Sequence, residues 1–102
     1  MDKTLQTIKN RIVKSFRPDK IIVFGSRAKG SAVGNSDYDI CVLKRGVYGR
    51  RQLAQNIYTE LFGVGASVDV IVEIPDKFEE LKDKTFLIYY NIAKFGRTIY
   101  EK

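Results

Sequence analysis

Lys20–Leu43 reads KIIVFGSRAKGSAVGNSDYDICVL, and the fold turns on this stretch. Its opening, KIIVF from Lys20 to Phe24, is a short β-branched run closed by Gly25, the pattern of a buried strand. From Gly25 to Ser36 the composition changes to three glycines and three serines in twelve residues with little apolar content, which predicts a loop with room for one helical turn. Tyr38 to Leu43, YDICVL, returns to strand character, interrupted by Asp39.

Outward from this core the pattern alternates helix and strand. Upstream, Leu5, Ile8, Ile12, Val13 and Phe16 recur at helical spacing, and Pro18 ends the run by restricting the residue before it. Downstream, a basic turn around Gly46 to Gly49 leads into a helix with Leu53, Ala54, Ile57, Tyr58 and Leu61 on one face, stopped by Gly63 and Gly65. Ser67 to Ile74, SVDVIVEI, predicts a third strand ended by Pro75, with Asp76 placed to cap the next helix. Residues 76–95 read as helical, although Phe86 to Tyr90 is apolar on every side and predicts either burial or a break between two helices. Gly96 is placed as a C-terminal cap, and Arg97 to Tyr100 as an edge strand.

A chain of 102 residues with 44% hydrophobic content suits one domain over residues 1–102 with one core. The net charge of +6 favours anionic ligands, but the basic residues are scattered; the densest group, Lys44, Arg45, Arg50 and Arg51, reads as solvated surface. Direct nucleic-acid binding is therefore not the favoured reading. Charges at Asp2, Lys3, Lys9, Arg11 and Lys14 leave no signal-peptide core or membrane span at the N-terminus, and the single cysteine, Cys41, cannot form an internal disulfide, so a reducing cytoplasmic setting is expected. Histidine is absent, which excludes Ser-His-Asp and Cys-His chemistry and histidine-bound zinc. Carboxylates remain, and their hard oxygens suit magnesium, manganese or calcium.

Asp37 and Asp39 are two apart at the start of the second strand, so they share a side, with Cα atoms about 7 Å apart. Carboxylate tips at that spacing can converge on two cations about 3.5–4 Å apart. Asp39 precedes Ile40, Cys41, Val42 and Leu43, and Asp69 interrupts Val68, Val70, Ile71 and Val72; a charge inside such a run is costly unless it is paired or bound to a cation. The competing reading makes Asp37 a turn residue and lets Asp39 and Asp69 face solvent on a one-sided sheet. Gly25 and Ser26, at the end of a buried strand, either offer backbone N–H groups and a hydroxyl to phosphate oxygens or form a plain turn. Gly25 and Gly30 match P-loop spacing, but Ser31 stands where the P-loop lysine belongs, which disfavours a Walker-type NTPase.

Together these residues spell G-S-x10-D-x-D between two strands, with Asp69 on a later one. The pattern resembles the nucleotidyltransferases of the DNA polymerase beta superfamily, particularly the minimal nucleotidyltransferases (MNT), over essentially the whole chain. The resemblance implies an α+β, polymerase-beta-palm-like fold with a mixed β-sheet flanked by helices. It implies that Gly25 and Ser26 contact the triphosphate of ATP, that Asp37 and Asp39 ligate magnesium, two ions in all, and that Asp69 completes the site and helps to activate an acceptor hydroxyl. Arg27 matches the family's GSR segment and either binds phosphate or braces the loop. Lys29 stands where relatives often have arginine and is left outside the site. The implied activity is transfer of AMP from ATP to an acceptor, as in MNT antitoxins that modify a tyrosine of a HEPN ribonuclease toxin. Two other readings stay open: a noncatalytic antitoxin that acts by binding, and a small-molecule or tRNA nucleotidyltransferase that needs further domains.

Overall fold

The computed structural model describes residues 1–102. Its centre is the strand β1, Lys20–Phe24, flanked on one side by β2, Tyr38–Leu43, and on the other by β4, Arg97–Glu101, both antiparallel to it. The strand β3, Val68–Glu73, runs parallel to β2, giving a mixed sheet of order β3-β2-β1-β4. A parallel pair needs a crossover, and the helix α3, Arg50–Glu60, supplies it. The remaining helices are α1, Lys3–Phe16; the single turn α2, Ser26–Lys29; α4, Pro75–Leu81; and α5, Ile88–Phe95.

Period-two alternation sends side chains to both faces, and both are covered. Ile21, Val23, Ile40, Val42, Val70 and Val72 pack under α1 (Leu5, Ile8, Ile12) and α3 (Ile57), with Leu61 just beyond. Ile22, Phe24, Cys41 and Leu43 pack under Phe78 of α4 and Ile92 of α5. Asp39, Asp69 and Glu73 belong by alternation to this second face. Both faces are covered, so the one-sided sheet of the competing reading does not form, although Asp69 at the sheet's end is exposed.

The apolar Phe86–Tyr90 stretch resolves as a break: α4 ends at Leu81 and α5 starts at Ile88, leaving Phe86 82% exposed. Asp76 does not cap α4. Ile74 is the N-cap without a side-chain bond and Pro75 opens the helix, because proline lacks only an N–H that the first turn would not use. Gly96 adopts an extended conformation, and a Cβ there would lie 2.4 Å from the Ile92 carbonyl and 2.6 Å from Ile22 Cγ2. The glycine thus lets the α5–β4 turn press onto β1. Tyr58 leaves the expected buried face of α3: its hydroxyl accepts the Val70 N–H at 2.8 Å, capping part of the outer edge of β3.

Candidate active site

At the end of the sheet where β2 and β3 begin, the parallel register sets Asp39 directly beside Asp69, and the antiparallel register sets Phe24 of β1 on the other side of Asp39. Asp39 is half-buried and Asp69 exposed. Burial raises the Asp39 carboxyl above its usual range, and the charge of Asp69, the charge of Asp37 and a hydrogen bond with Asp69 push it further the same way. The pair is held together against its own repulsion by the strand register.

Asp37 lies one residue before β2 begins and is exposed. It acts on Asp39 through its charge, but no three carboxylates converge into a ready cation cage. The expected convergence of all three is thus incomplete, because Asp37 is outside the strand pleat that aligns the other two. The donor set still fits a hard divalent cation: two carboxylates fixed side by side, a third within electrostatic reach, and no other charge placed to relieve their crowding.

Gly25 is shaped for this pair. It follows Phe24, the register partner of Asp39, with φ 70° and ψ −151°, a region essentially restricted to glycine. A Cβ at Gly25 would lie 2.2 Å from Asp39 Oδ2, so the bare backbone makes the space that the carboxylate occupies. The chain then turns into α2, whose opening N–H groups at Ser26 and Arg27 have no intrahelical partner. Gly30, at φ 77°, closes the turn by donating to the Ser26 carbonyl.

Arg27 points away from this turn. Its Nη2 donates to the Ser36 carbonyl at 2.8 Å and the Gly34 carbonyl at 3.4 Å, and its guanidinium lies 4.1 Å from the Tyr38 ring centre. Of the two roles the sequence left open, the bracing one is the one these contacts carry; only Nε is buried without a partner. Ser36 precedes Asp37, so the brace fixes the approach to the aspartate strand. Tyr38 donates in turn to Asp2 Oδ2 at 3.0 Å, while Asp2 Oδ1 caps α1 through the Leu5 N–H at 2.7 Å.

One buried charge escaped the sequence reading. Glu73, 1% exposed at the far end of β3, accepts from Arg50 Nη1 at 2.6 Å, the Tyr89 hydroxyl at 2.5 Å and the Ile74 N–H at 2.9 Å. Arg50 is therefore more than a solvated surface charge. Burial, reinforced by Glu73, pushes the Tyr89 phenol up to about 12, and the same causes push Cys41 up to about 12. This network ties α3, β3 and α5 together at the end opposite the aspartates.

The family profile of the polymerase beta nucleotidyltransferases matches residues 6–102. The chain belongs to this family. The nucleotidyltransferase also resembles solved structures in fold. One is a toxin–antitoxin complex with AMP-PNP, at 24% identity and TM-score 0.59 over 92% of this chain and 73% of that one. Another is a mutant of the toxin–antitoxin MntA-HpeT, at 20% identity and TM-score 0.63 over 95% and 73%. A third is a tri-AMPylated Shewanella oneidensis HEPN toxin in complex with MNT antitoxin, at 22% identity and TM-score 0.54 over 95% and 72%. No curated protein sequence matches the nucleotidyltransferase. None of its helices is long and apolar enough to cross a membrane.

Proposed function

We propose that residues 1–102 form one nucleotidyltransferase domain that transfers AMP from ATP to a tyrosine hydroxyl of a HEPN-type toxin, acting as its antitoxin in the cytoplasm. The observation that carries the reading is the Asp39–Asp69 pair beside the side-chain-free turn at Gly25. A repelling carboxylate pair is a poor structural element but a good receptor for a magnesium-bound triphosphate. The toxin partner is supported by the toxin–antitoxin complexes among the structural relatives.

In this reading Asp37, Asp39 and Asp69 hold magnesium, which when bound neutralises triphosphate charge and lowers the pKa of the acceptor hydroxyl. Ser26, through its hydroxyl and N–H, and the Gly25 backbone orient the phosphates. Arg27 acts by holding the Gly34–Ser36 loop. Asp69, the more exposed carboxylate of the pair, faces the acceptor and takes the hydroxyl proton. The acceptor oxygen then bonds to the α-phosphorus, the bond from that phosphorus to the bridging oxygen breaks, and pyrophosphate leaves. The chain's contribution is mainly position and electrostatics.

The test uses a purified HEPN-type toxin with this protein, ATP and magnesium, followed by intact mass and peptide mapping. The expected result is addition of whole AMP units on tyrosine, absent with Asp39→Asn. An Asp39→Asn protein that neutralises the toxin in cells as fully as the parent would contradict a catalytic role and leave neutralisation by binding.

A further inference from the structure

Along the active end of the sheet, on the face carrying Asp69 and Asp39, the next strand outward is β1 and the one beyond is β4. Phe95 stands there, at the end of α5 and one residue before Gly96, whose close contact with Ile22 and the Val23 carbonyl fixes its place over the sheet. Its ring is 44% exposed. Lys29, from the turn that begins at Ser26, brings its ammonium to 5.0 Å from the ring centre, and Lys94 brings its own to 5.5 Å. Neither lysine is in an ion pair, and Lys29 has no hydrogen-bond partner. The ring is thus a cation- and π-binding surface that Lys29 can leave without breaking a stronger contact.

Resting on the nucleotidyltransferase reading above, we infer that Phe95, flanked by Lys29 and Lys94, is the platform on which the base of the nucleoside triphosphate stacks. The spacing supports it. From β2, which carries Asp39, to β4 is two strand spacings, about 10 Å. That matches the extended reach of a nucleotide from its α-phosphate to its base, while the Gly25–Ser26 turn lies between. An exposed phenylalanine beside two ammonium groups, Lys29 unpaired and Lys94 bonded to the Tyr90 hydroxyl at 3.1 Å, offers a π-face to the base and positive potential to the phosphates, a combination that holds nucleotides without base-edge readout. Stacking of this kind tolerates any base, so the platform would supply affinity for nucleotides over bare polyphosphate rather than a choice among bases.

Calorimetry in magnesium with two probes tests this: α,β-methylene ATP, which cannot be cleaved at the bond the reaction breaks, and inorganic tripolyphosphate, which has no base. Phe95→Ala is expected to weaken the nucleotide by about tenfold or more and leave tripolyphosphate unchanged, while Phe95→Trp keeps nucleotide affinity. Unchanged nucleotide affinity in Phe95→Ala, or equal weakening of both probes, would overturn the inference and leave the nucleotidyltransferase reading standing. Failure of the unsubstituted protein to bind either probe would instead remove that reading, and the inference with it.

Discussion

Gly25→Ala attacks the junction between backbone and site. Holding alanine at φ 70°, ψ −151° costs on the order of 1–3 kcal/mol in backbone strain. The new Cβ would sit 2.2 Å from Asp39 Oδ2 and 3.2 Å from its Cγ, so the short aspartate must leave its rotamer, at about 0.5–1.5 kcal/mol more. A total near 3 kcal/mol lowers the melting temperature of a domain this size by roughly 12–24 °C. Thermal and urea unfolding of the apo protein measure it. The two causes separate in a double-mutant cycle with Asp39→Ala, which removes the colliding carboxylate but leaves the backbone strain, so the cost of Gly25→Ala should shrink there by about 1 kcal/mol. An identical cost in both backgrounds would refute the steric part of the argument. Gly25→Ala as stable as the parent would refute all of it.

Asp39→Asn should abolish AMP transfer without destabilising the apo fold. Because burial and then Asp69 and Asp37 raise the Asp39 carboxyl, its contribution to stability is full below the ordinary value of 3.8 and is lost as pH rises through the raised folded value. The variant should therefore gain stability relative to the parent as pH rises from 3.8 through the raised value, and the gain should level off towards neutral; parallel pH profiles of the melting temperature from 3.8 to neutral would contradict the reading. Tyr89→Phe removes a donor to buried Glu73 and should cost about 1.5–3 kcal/mol in urea unfolding, with no change in nucleotide affinity. Tyr58→Phe should cost about 1 kcal/mol and raise aggregation, seen by light scattering, because it uncaps the Val70 N–H at the edge of β3.

Much of the fold was legible because its strands are short apolar runs bounded by glycine and proline, and because Gly25, Ser26, Asp37 and Asp39 have a fixed spacing. The side-by-side placement of Asp39 and Asp69 was implied by two acidic residues in apolar strands, but the register that pairs them comes from the parallel crossover through α3, which no local pattern encodes. Glu73 was passed over because it ends its strand two residues before Pro75, where a glutamate reads as a solvated terminus; its partners Arg50 and Tyr89 are 23 and 16 residues away. Arg27 was ambiguous for a similar reason. Its partners, the Gly34 and Ser36 carbonyls, lie in a loop whose path sequence does not fix. Phe95 belongs to no motif in the sequence, and only the turn at Gly96 and the reach of Lys29 place it at the aspartate end of the sheet.

The central claim is that the aspartates serve a magnesium-bound triphosphate. Calorimetric titration of α,β-methylene ATP, in magnesium and again in chelator, tests it most directly. Tight binding in magnesium, much weaker binding in chelator and loss of the magnesium effect in Asp39→Asn are the results expected. Equal affinity with and without the cation, or a magnesium effect that survives Asp39→Asn undiminished, would contradict the account.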